Sequence, residues 1–475
     1  MNLALPPALD NIVRELRAAR FRAVVVGGAV RDALLELVPK DFDIEVYGIA
    51  YDKLAGLLAR HGQVDLVGKS FGVVKLSAGQ GLAWDFSVPR RDSKTGLHHR
   101  DFHATFDESI TPQEAASRRD FTINAIAWDP VDERLLDFFG GAEDLRRRVL
   151  RATSEAFAED PLRVLRGMQF ACRFDLTVDP ETAALCRSIA DQYDTIARER
   201  VAEEFMKWAV KGKRPGRIFE YLHATGWVRH FPEIGALKGV PQDPEWHPEG
   251  DVDIHTGLVL DAAARIAERD LLEGDARAVL LFAALAHDFA KATTTTLRSR
   301  GGRMRWSAYG HEIDGGPITR AFLERMGIKS AIVDQVEPLV ESHMVTTSIG
   351  REPSARAVRR LAMRLAPATI AQLLRVIEAD YSGRPPLPQG LPEGAARIKE
   401  IAEAQAVKEG PQAPLILGRH VLPYFEGRPG VHIGEVTRAA YEAQADGEFS
   451  NEAEALAWLD RYLKKESGVR SQESE

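Results

Sequence analysis

The sequence AVVVGGAVRD at residues 23–32 decides how the N-terminal part of this chain folds. Its apolar start, residues 23–26, predicts a short strand, and a helix is expected from about residue 30 to residue 37. Gly27 and Gly28 between them allow the backbone to approach a phosphate closely. The free amide groups at the start of a helix favour an anion. Arg31 is one turn into that helix, where its guanidinium can reach triphosphate oxygens.

A pair of aspartates follows, in the run DFD at residues 41–43 that opens the second predicted strand. Residues two apart on a strand point to the same face, so Asp41 and Asp43 are expected side by side. Neighbouring carboxylates repel each other unless a cation lies between them, and Mg²⁺ prefers carboxylate and phosphate oxygens. Asp85, in a later predicted strand, can supply a third carboxylate. The pattern predicts a site for magnesium and a nucleoside triphosphate.

Three further motifs follow along the chain. They are RRDFTINA at residues 118–125, DFFGGAEDL at residues 137–145 and EDPLRVLR at residues 159–166. With the first motif, this order resembles the class II tRNA nucleotidyltransferases, which are CCA-adding enzymes of bacteria and eukaryotes, and their poly(A) polymerase relatives. The resemblance covers about residues 21–235.

The resemblance implies a reaction in which the 3′-hydroxyl of a tRNA attacks the α-phosphate of CTP or ATP and pyrophosphate leaves. Magnesium held by Asp41 and Asp43 would activate that hydroxyl. The roles that it implies for other residues are phosphate binding by Gly27, Gly28 and Arg31, sugar binding by Arg119 and Asp120, and base reading by Asp160, Arg163 and Arg166.

The base-reading motif also has a physical rationale of its own. Asp160, Arg163 and Arg166 are spaced by three, so on a helix they would share one face. A carboxylate accepts hydrogen bonds and a guanidinium donates them. Cytosine and adenine each present an amino donor beside a ring-nitrogen acceptor, so one such pair can serve both bases in place of a template. Gln169 stands where many relatives have another arginine; either Arg173 replaces that contact or it is lost.

A second group of candidate residues lies further along the chain. His255, the pair His287-Asp288 and Asp380 occur in segments that are predicted to be helical. Mixed histidine and carboxylate sets suit divalent ions that activate water. This order, with the run WHPEGD at residues 246–251, resembles the HD phosphohydrolase superfamily. It implies a divalent transition metal at the second site, and a vestigial, metal-free site is the alternative.

The remaining histidines are expected to have ordinary roles. His311 and His343 are spaced like second-metal ligands of some HD relatives, but surface or packed histidines are the favoured interpretation. A group of three, His98, His99 and His103, lies in a long loop predicted for residues 90–112, where solvated side chains are expected.

Length and composition are those of an ordinary globular protein with several domains. The chain has 475 residues, a formal net charge of −8 and two cysteines. The cysteines do not form a disulfide framework, and we expect a cytoplasmic protein. No stretch of about 18 apolar residues predicts a membrane span.

The predicted fold class is α+β. A small mixed-sheet head is expected at residues 1–150, a helical neck at residues 151–237 and a helical HD domain at residues 238–385. A C-terminal helical module at residues 386–475 would serve tRNA binding or oligomerisation. The oligomeric state is not indicated.

The function predicted from the resemblance is addition of CCA to tRNA from CTP and ATP. CC-adding, A-adding and poly(A)-adding enzymes share these motifs and stay open as alternatives. A metal phosphohydrolase acting through the HD site, with the head used for RNA capture, is a rival of another class. A binding protein with decayed sites is disfavoured by the full set of carboxylates. A dinucleotide-binding dehydrogenase lacks its third glycine.

Overall fold

The structure is a computed structural model. It describes residues 3–39, 41–66, 72–79, 81–94, 102–348, 350, 352–425 and 427–472. The chain divides into two compact units, Met1–Gly235 and Ala236–Glu475. Each unit is described by itself below.

The first unit contains a sheet and a group of helices. Its strands are β1 Arg22–Val26, β2 Asp43–Tyr47, β3 Gln63–Asp65, β4 Val73–Ser77, β5 Ala83–Ser87, β6 Arg90–Lys94, β7 Phe102–Phe106, β8 Ala127–Asp129, β9 Arg134–Leu136, β10 Val149–Leu150 and β11 Thr177–Val178. Its helices are α1 Pro7–Ala18, α2 Gly28–Leu34, α3 Tyr51–Leu58, α4 Pro112–Ser117, α5 Gly141–Arg146, α6 Leu162–Phe174, α7 Pro180–Ser188, α8 Arg198–Lys211, α9 Arg217–Thr225 and α10 Pro232–Gly235. Short 3-10 helices lie at Thr122–Asn124, Glu155–Glu159, Ala190–Thr195 and Trp227–His230.

The main sheet has seven strands in the order β3-β4-β5-β2-β1-β8-β9. Strands β2 and β5 are parallel, whereas the other neighbours are antiparallel. The apolar β1 is central, and Val24 and Val25 are fully buried, as expected for a strand covered on both faces. The predicted mixed-sheet head and the α+β class are confirmed.

The prediction of a long loop at residues 90–112 is wrong. Strands β6 and β7 pair antiparallel, from Arg90 opposite Phe106 to Lys94 opposite Phe102, and α4 begins at Pro112. The many charged and polar residues of this segment led to the prediction of a loop, although its backbone pairs as two strands. His98 and His99 lie outside the described residues, and for His103 only the backbone is described.

Helix α6 is the centre of the neck and packs closely on its neighbours. The hydroxyl of Tyr221 on α9 donates to the carbonyl of Val164, at 2.9 Å. A Cβ atom on Gly167 would lie 2.2 Å from that hydroxyl oxygen and 2.8 Å from the Phe121 ring. Both positions are closer than van der Waals contact allows, so only glycine fits here.

We therefore expect Gly167→Ala to lower the free energy of unfolding by about 1–3 kcal/mol through overpacking, although alanine is the better helix former. Urea unfolding followed by circular dichroism measures the effect. Gly56→Ala is the matched control, since Gly56 is on α3 and its Cβ would meet nothing within 4 Å. Equal stabilities for the two variants would show that the Tyr221 contact relaxes without cost.

The second unit is mostly helical. Its helices are α11 Val252–Arg269, α12 Gly274–Ala286, α13 Lys291–Thr294, α14 His311–Met326, α15 Ser330–Ser342, α16 Val345–Ser348, α17 Ala355–Leu365, α18 Ile370–Ser382, α19 Glu393–Ala404, α20 Gly418–Val421, α21 Val431–Asp446 and α22 Glu452–Gln472, with a 3-10 helix at Leu422–Phe425. Its strands are β12 Thr296–Arg300 and β13 Arg303–Ser307, which pair antiparallel. This hairpin interrupts what the sequence predicted as an unbroken helical block.

The last helices of this unit share a small core. Its buried members are Ile416, Val421, Val436, Ala440, Ala443, Phe449, Ala455 and Leu459. This core is consistent with a separate C-terminal module, but the domain boundaries at residues 150, 237 and 385 stay predictions. Among the described residues, no helix is both long and apolar enough to cross a membrane.

Candidate functional site

The first candidate site lies where three strands of the head meet. Asp43 is the first residue of β2 and pairs with Val26, the last residue of β1, on one side and with Asp85 on the other. Gly27 follows Val26 directly, so the glycine turn lies beside Asp43, which separates it from Asp85 in the sheet. The structure thus brings together the two halves of the predicted magnesium and triphosphate site.

Asp41 lies outside the strand, so the prediction that both aspartates belong to it is wrong by two residues. β2 begins only at Asp43. Asp41 is nevertheless near enough to act on its neighbour. Burial raises the pKa of Asp43, and the charges of Asp85 and Asp41 raise it further, while Arg119 opposes them. A buried carboxylate whose pKa is raised by neighbouring carboxylates would be stabilised in its charged form by a cation.

The glycine turn requires its glycine. Gly27 has a φ of +69°, a conformation that side chains other than glycine adopt with strain. A Cβ there would also lie 3.3 Å from Nη1 of Arg119. The absence of a side chain therefore lets the Arg119 guanidinium lie against the turn.

Arg119 has a carboxylate partner that sequence reasoning missed. Its Nη2 lies 3.4 Å from Oε2 of Glu45, and the Tyr47 hydroxyl donates to the same oxygen at 2.6 Å. Glu45 is two residues beyond Asp43 on β2 and so shares its face. The alternation of acidic residues in Asp43-Ile44-Glu45 was the signal that could have identified it.

Arg31 is placed differently from what the sequence suggested. It is buried and donates to Oδ1 of Asn124 at 2.6 Å and to Oδ1 of Asp32 at 2.6 Å and 2.9 Å. Its guanidinium carbon also lies 4.5 Å from the centre of the Phe174 ring. These contacts attach α2 to the 3-10 turn at Thr122–Asn124 and to the end of α6.

Asp120 and Arg166, predicted to bind the sugar and the base, form an ion pair with each other. Nε and Nη2 of Arg166 donate to Oδ2 of Asp120 at 2.9 Å and 2.7 Å. Oδ1 of the same carboxylate accepts from the Asn124 amide and the Phe121 N–H. Burial alone would raise the pKa of Asp120, but Arg166 and Asn124 hold it below its usual range.

Arg163 and Arg166 are both on α6 at a spacing of three, but Asp160 is not on the helix, so the prediction that all three share one helix face is wrong for Asp160. Asp160 precedes α6, has extended backbone angles and accepts a hydrogen bond from the Leu162 N–H at 3.0 Å. Arg163 donates to the carbonyls of Ala156 and Arg118 at 2.7 Å and 2.9 Å. A proline at position 161 moved the helix start past Asp160, because the residue before a proline disfavours helical angles.

Helix α8 adds residues to this region that the sequence did not reveal. Nη2 of Arg200 lies 3.5 Å from Oδ2 of Asp160. Glu204 is buried, and its Oε2 has no hydrogen-bond partner among the described residues. The same holds for Oε1 of Gln169 on α6, so the position where relatives have an arginine holds an unsatisfied acceptor here.

The second candidate site collects its residues from separate helices. His255 is on α11, His287 and Asp288 directly follow α12, and Asp380 is on α18. Nε2 of His255 lies 3.2 Å from Oδ1 of Asp380 and 3.4 Å from Nε2 of His287, which lies 3.1 Å from Oδ2 of Asp288. All four side chains are buried. The structure therefore brings the predicted HD residues into one cluster.

His311 and His343 belong to the same cluster, so the surface interpretation of these residues is wrong. His311 opens α14 and His343 follows α15, and both are buried. Their Nε2 atoms are 3.2 Å apart, and that of His311 lies 3.3 Å from Oδ1 of Asp288. Asp288 thus directs one carboxylate oxygen toward each of two groups that could hold an ion. The first group is His255, His287 and Asp380, and the second is His311 and His343.

The histidines of the cluster are oriented by the backbone. Nδ1 of His287, His311 and His343 lies 2.9 Å, 2.6 Å and 2.7 Å from a carbonyl oxygen three residues earlier. A carbonyl only accepts, so each Nδ1 carries the proton and each Nε2 presents its lone pair to the cluster. Metal-binding histidines are held in this way. Burial and the neighbouring His311 and His287 lower the pKa of His343 to about 3, so this imidazole is neutral.

The nitrogen and oxygen atoms that face one another in the cluster fit a divalent cation. Both oxygens of Asp288 are buried, and neither makes a hydrogen bond of normal geometry within the described residues, although Nζ of Lys291 lies 2.8 Å from Oδ2. Imidazole lone pairs and carboxylate oxygens that face one another are all acceptors. Such a group is costly to bury unless a cation satisfies it.

Glu249 supports the cluster from outside. Its Oε1 lies 2.7 Å from Nδ1 of His255 and 2.9 Å from Nδ1 of His247. Burial would raise the pKa of Glu249, but these two histidines lower it to about 2. The run WHPEGD pointed to this segment, but the role of its glutamate appears only in the folded chain.

Three family models match this chain. Residues 23–151 match the Poly A polymerase head domain, residues 175–237 match the probable RNA and SrmB-binding site of polymerase A, and residues 252–379 match the HD domain. Both candidate sites lie within matched segments, apart from the residues near 160 and from Glu249 and Asp380.

Relatives over most of the chain are also found. The multifunctional CCA protein of Xanthomonas campestris pv. campestris (strain B100) is 37% identical over 378 residues, which are 77% of this chain and 86% of the relative. That of Xanthomonas euvesicatoria pv. vesicatoria (strain 85-10) is 36% identical over 438 residues, 90% of this chain and 98% of the relative.

Solved structures share the fold. The CCA-adding enzyme of Bacillus stearothermophilus in complex with CTP is similar with a TM-score of 0.63 and 22% identity, covering 98% of this chain and 100% of the other. The Thermotoga maritima enzyme complexed with tRNA is similar with a TM-score of 0.53 and 19% identity, covering 97% and 96%.

Proposed function

This chain belongs to the family of the multifunctional CCA proteins, and from this membership we propose how its residues carry out the reaction. The chain is a tRNA nucleotidyltransferase that adds C and A nucleotides from CTP and ATP to the tRNA 3′ end without a nucleic-acid template. The motif resemblance is confirmed. The observation that carries the catalytic assignment is Asp43, in register with Asp85 and beside the Gly27 turn.

We propose that Mg²⁺ is held in the head by Asp41, Asp43 and Asp85. The register of Asp43 with Asp85, and the rise that the charges of Asp85 and Asp41 cause in the Asp43 pKa, support the assignment. When bound, Mg²⁺ would neutralise charge on the triphosphate and favour ionisation of the attacking hydroxyl.

In the proposed reaction, the 3′-hydroxyl oxygen of the tRNA bonds to the α-phosphorus and the bond to the departing pyrophosphate breaks. Gly27 and Gly28 leave room for the triphosphate beside the backbone. Arg119, which lies against this turn, offers donors to the phosphates or the sugar. Arg31 is buried and uses three of its five N–H groups on Asn124 and Asp32, so we propose that it mainly holds the turn in place.

The base is read between the head and the neck helices. Asp160 offers carboxylate oxygens, and Arg163 uses two of its five N–H groups on backbone carbonyls, so three stay available for a base. We propose that Asp120 positions Arg166 through their ion pair and that Arg166 completes the base site. Uracil and guanine present a ring N–H donor and a carbonyl acceptor at the positions where this site needs an acceptor and a donor.

Arg163→Ala should lower the preference for CTP over UTP at least about tenfold, because a mismatched buried polar group costs about 1–3 kcal/mol. The measurement is the ratio of kcat/KM for the two triphosphates in wild type and variant. Arg198→Ala, at an exposed position at the start of α8, is the matched control. A uniform fall in rate at an unchanged ratio would show that Arg163 only supports the neck.

The reaction itself is tested with purified protein and tRNAs that lack A, CA or CCA, with each triphosphate offered separately. We expect CTP to extend the tRNA that lacks CCA, and ATP to extend only the tRNA that already ends in CC. Addition of C alone, or of long A tracts, would contradict the assignment.

We propose a second activity, hydrolysis of phosphoesters at the HD cluster. Its support is the convergence of two donor groups on Asp288. His255, His287, Asp288 and Asp380 would hold one divalent transition metal, and Asp288, His311 and His343 would hold a second. When bound, such ions supply activation of water. Lys291 is placed to neutralise charge beside Asp288, and Glu249 orients His255.

The remaining assignments stay predictions. They are the four-domain division, tRNA binding or oligomerisation by residues 386–475, and the cytoplasmic location. The matches at residues 23–151, 175–237 and 252–379 are consistent with the first of these.

A further inference from the structure

A β-hairpin joins the two halves of the HD cluster. The basic hairpin, as we call residues 296–307, comes after Asp288 in the chain and ends just before His311. Arg305 on β13 lies 3.8 Å from Asp243 and 2.5 Å from Glu245, in the segment that leads to His247. The hairpin is therefore anchored beside the cluster at both ends and through this ion pair.

The two faces of the basic hairpin differ in chemistry. Leu297 lies opposite Trp306 in the antiparallel register, and Met304 shares their face, whereas Arg298 and Arg305 are opposite each other on the other face. The apolar face points to solvent. Its exposed fractions are 46% for Leu297, 60% for Met304 and 37% for Trp306, and the nearby Tyr309 is 62% exposed.

The charge of this segment is opposite to that of the chain. Residues 289–310 contain Lys291 and four arginines and no acidic residue, in a protein of net charge −8. The Arg298 guanidinium lies 5.2 Å from the Tyr309 ring centre. Arg303 is exposed at the turn and makes no ion pair with any residue that the structure describes. The result is a positive surface with exposed aromatic rings.

We propose that the basic hairpin binds the single-stranded 3′ end of an RNA and delivers its terminal phosphate to the HD cluster. Aromatic rings stack on unpaired bases, and arginines beside them neutralise the phosphates. A second copy of this chain would place arginines against arginines, so it fits less well. Hydrolysis of the terminal phosphate rests on the phosphohydrolase function proposed above, whereas binding of the RNA by the hairpin does not depend on that function.

The test uses the full-length protein and a short single-stranded RNA with a 3′-phosphate and a 4-thiouridine near that end. In the wild type, we expect ultraviolet light to crosslink this RNA to peptides of residues 289–310. Trp306→Ala and Arg303→Gln should each lower the crosslink yield. Loss of one stacked base should raise the KM for release of the RNA phosphate at least about tenfold.

Turnover of p-nitrophenyl phosphate should stay unchanged in both variants, because this substrate needs the cluster and not the hairpin. Leu271→Ala and Arg265→Gln are matched controls at exposed positions of the same unit. A wild type without p-nitrophenyl phosphate turnover would overturn the phosphohydrolase function, and the crosslinks would still decide RNA binding. The inference would be overturned if the RNA crosslinked only to residues 1–235. It would also be overturned if the two hairpin variants changed only the oligomeric mass or the binding to anionic vesicles.

Discussion

Asp43→Asn should reduce nucleotide addition to tRNA at least about a thousandfold, which corresponds to about 4 kcal/mol of transition-state stabilisation. Asp43 is the carboxylate that links the others, since it pairs with Asp85 in the sheet and is acted on by Asp41. The amide has nearly the same shape but no charge for a cation. Incorporation of radiolabelled CMP in magnesium measures the rate, and electrophoretic mobility shift measures tRNA binding, which should persist.

The control for this variant is Asp65→Asn, which removes a carboxylate from the outer strand β3 of the same sheet. It should add nucleotides at close to the normal rate. Hydrolysis of p-nitrophenyl phosphate by Asp43→Asn should equal that of the wild type, since the HD cluster lies in the other unit. Near-normal incorporation by Asp43→Asn would disprove the magnesium assignment.

Asp288→Asn is expected to abolish phosphoester hydrolysis, again by at least about a thousandfold, and to lower the bound metal. Its two oxygens face the two donor groups of the cluster, so one change removes a charged ligand from both. Metal content of protein purified without chelator, measured by inductively coupled plasma mass spectrometry, gives a readout that does not depend on turnover. Addition of C and A to tRNA should be unaffected.

Asp275→Asn, at an exposed position on α12, is the matched control and should keep both metal and activity. Thermal unfolding of each variant with and without added metal separates loss of the ion from loss of the fold. If the wild type contains no stoichiometric ion and hydrolyses no phosphoester with any of several metals, the cluster is vestigial.

The local parts of both sites were predictable from the sequence. The glycine turn and the ordered motifs are short-range features, set by residues that are neighbours in the chain. Asp43 and the HD residues could be named for that reason. Their chemistry, acidic oxygens beside a glycine turn and histidines beside an aspartate, follows from residue type alone.

The partners of those residues were decided by the tertiary structure. Arg31 is held by Asn124, and Asp120 by Arg166, across separations of 93 and 46 residues, and no local pattern specifies such pairs. The sequence predicts surface or packed histidines at His311 and His343, because only the packing of α14 on α15, and of α15 on α12, brings them to Asp288. The hairpins β6–β7 and β12–β13 were missed because the first strand of each, RRDSK and TLRSR, is mostly polar and lacks the alternating apolar pattern by which strands are predicted.

The sequence by itself therefore determined the family, the α+β class and the carboxylates of the head. Only the tertiary structure decided which donors reach the same point in space. The physical reason is that metal and base binding depend on side chains meeting within hydrogen-bond distance. That geometry is set by the packing of elements distant in the chain, as at Asp288, which His255 approaches from α11 and His311 from the start of α14.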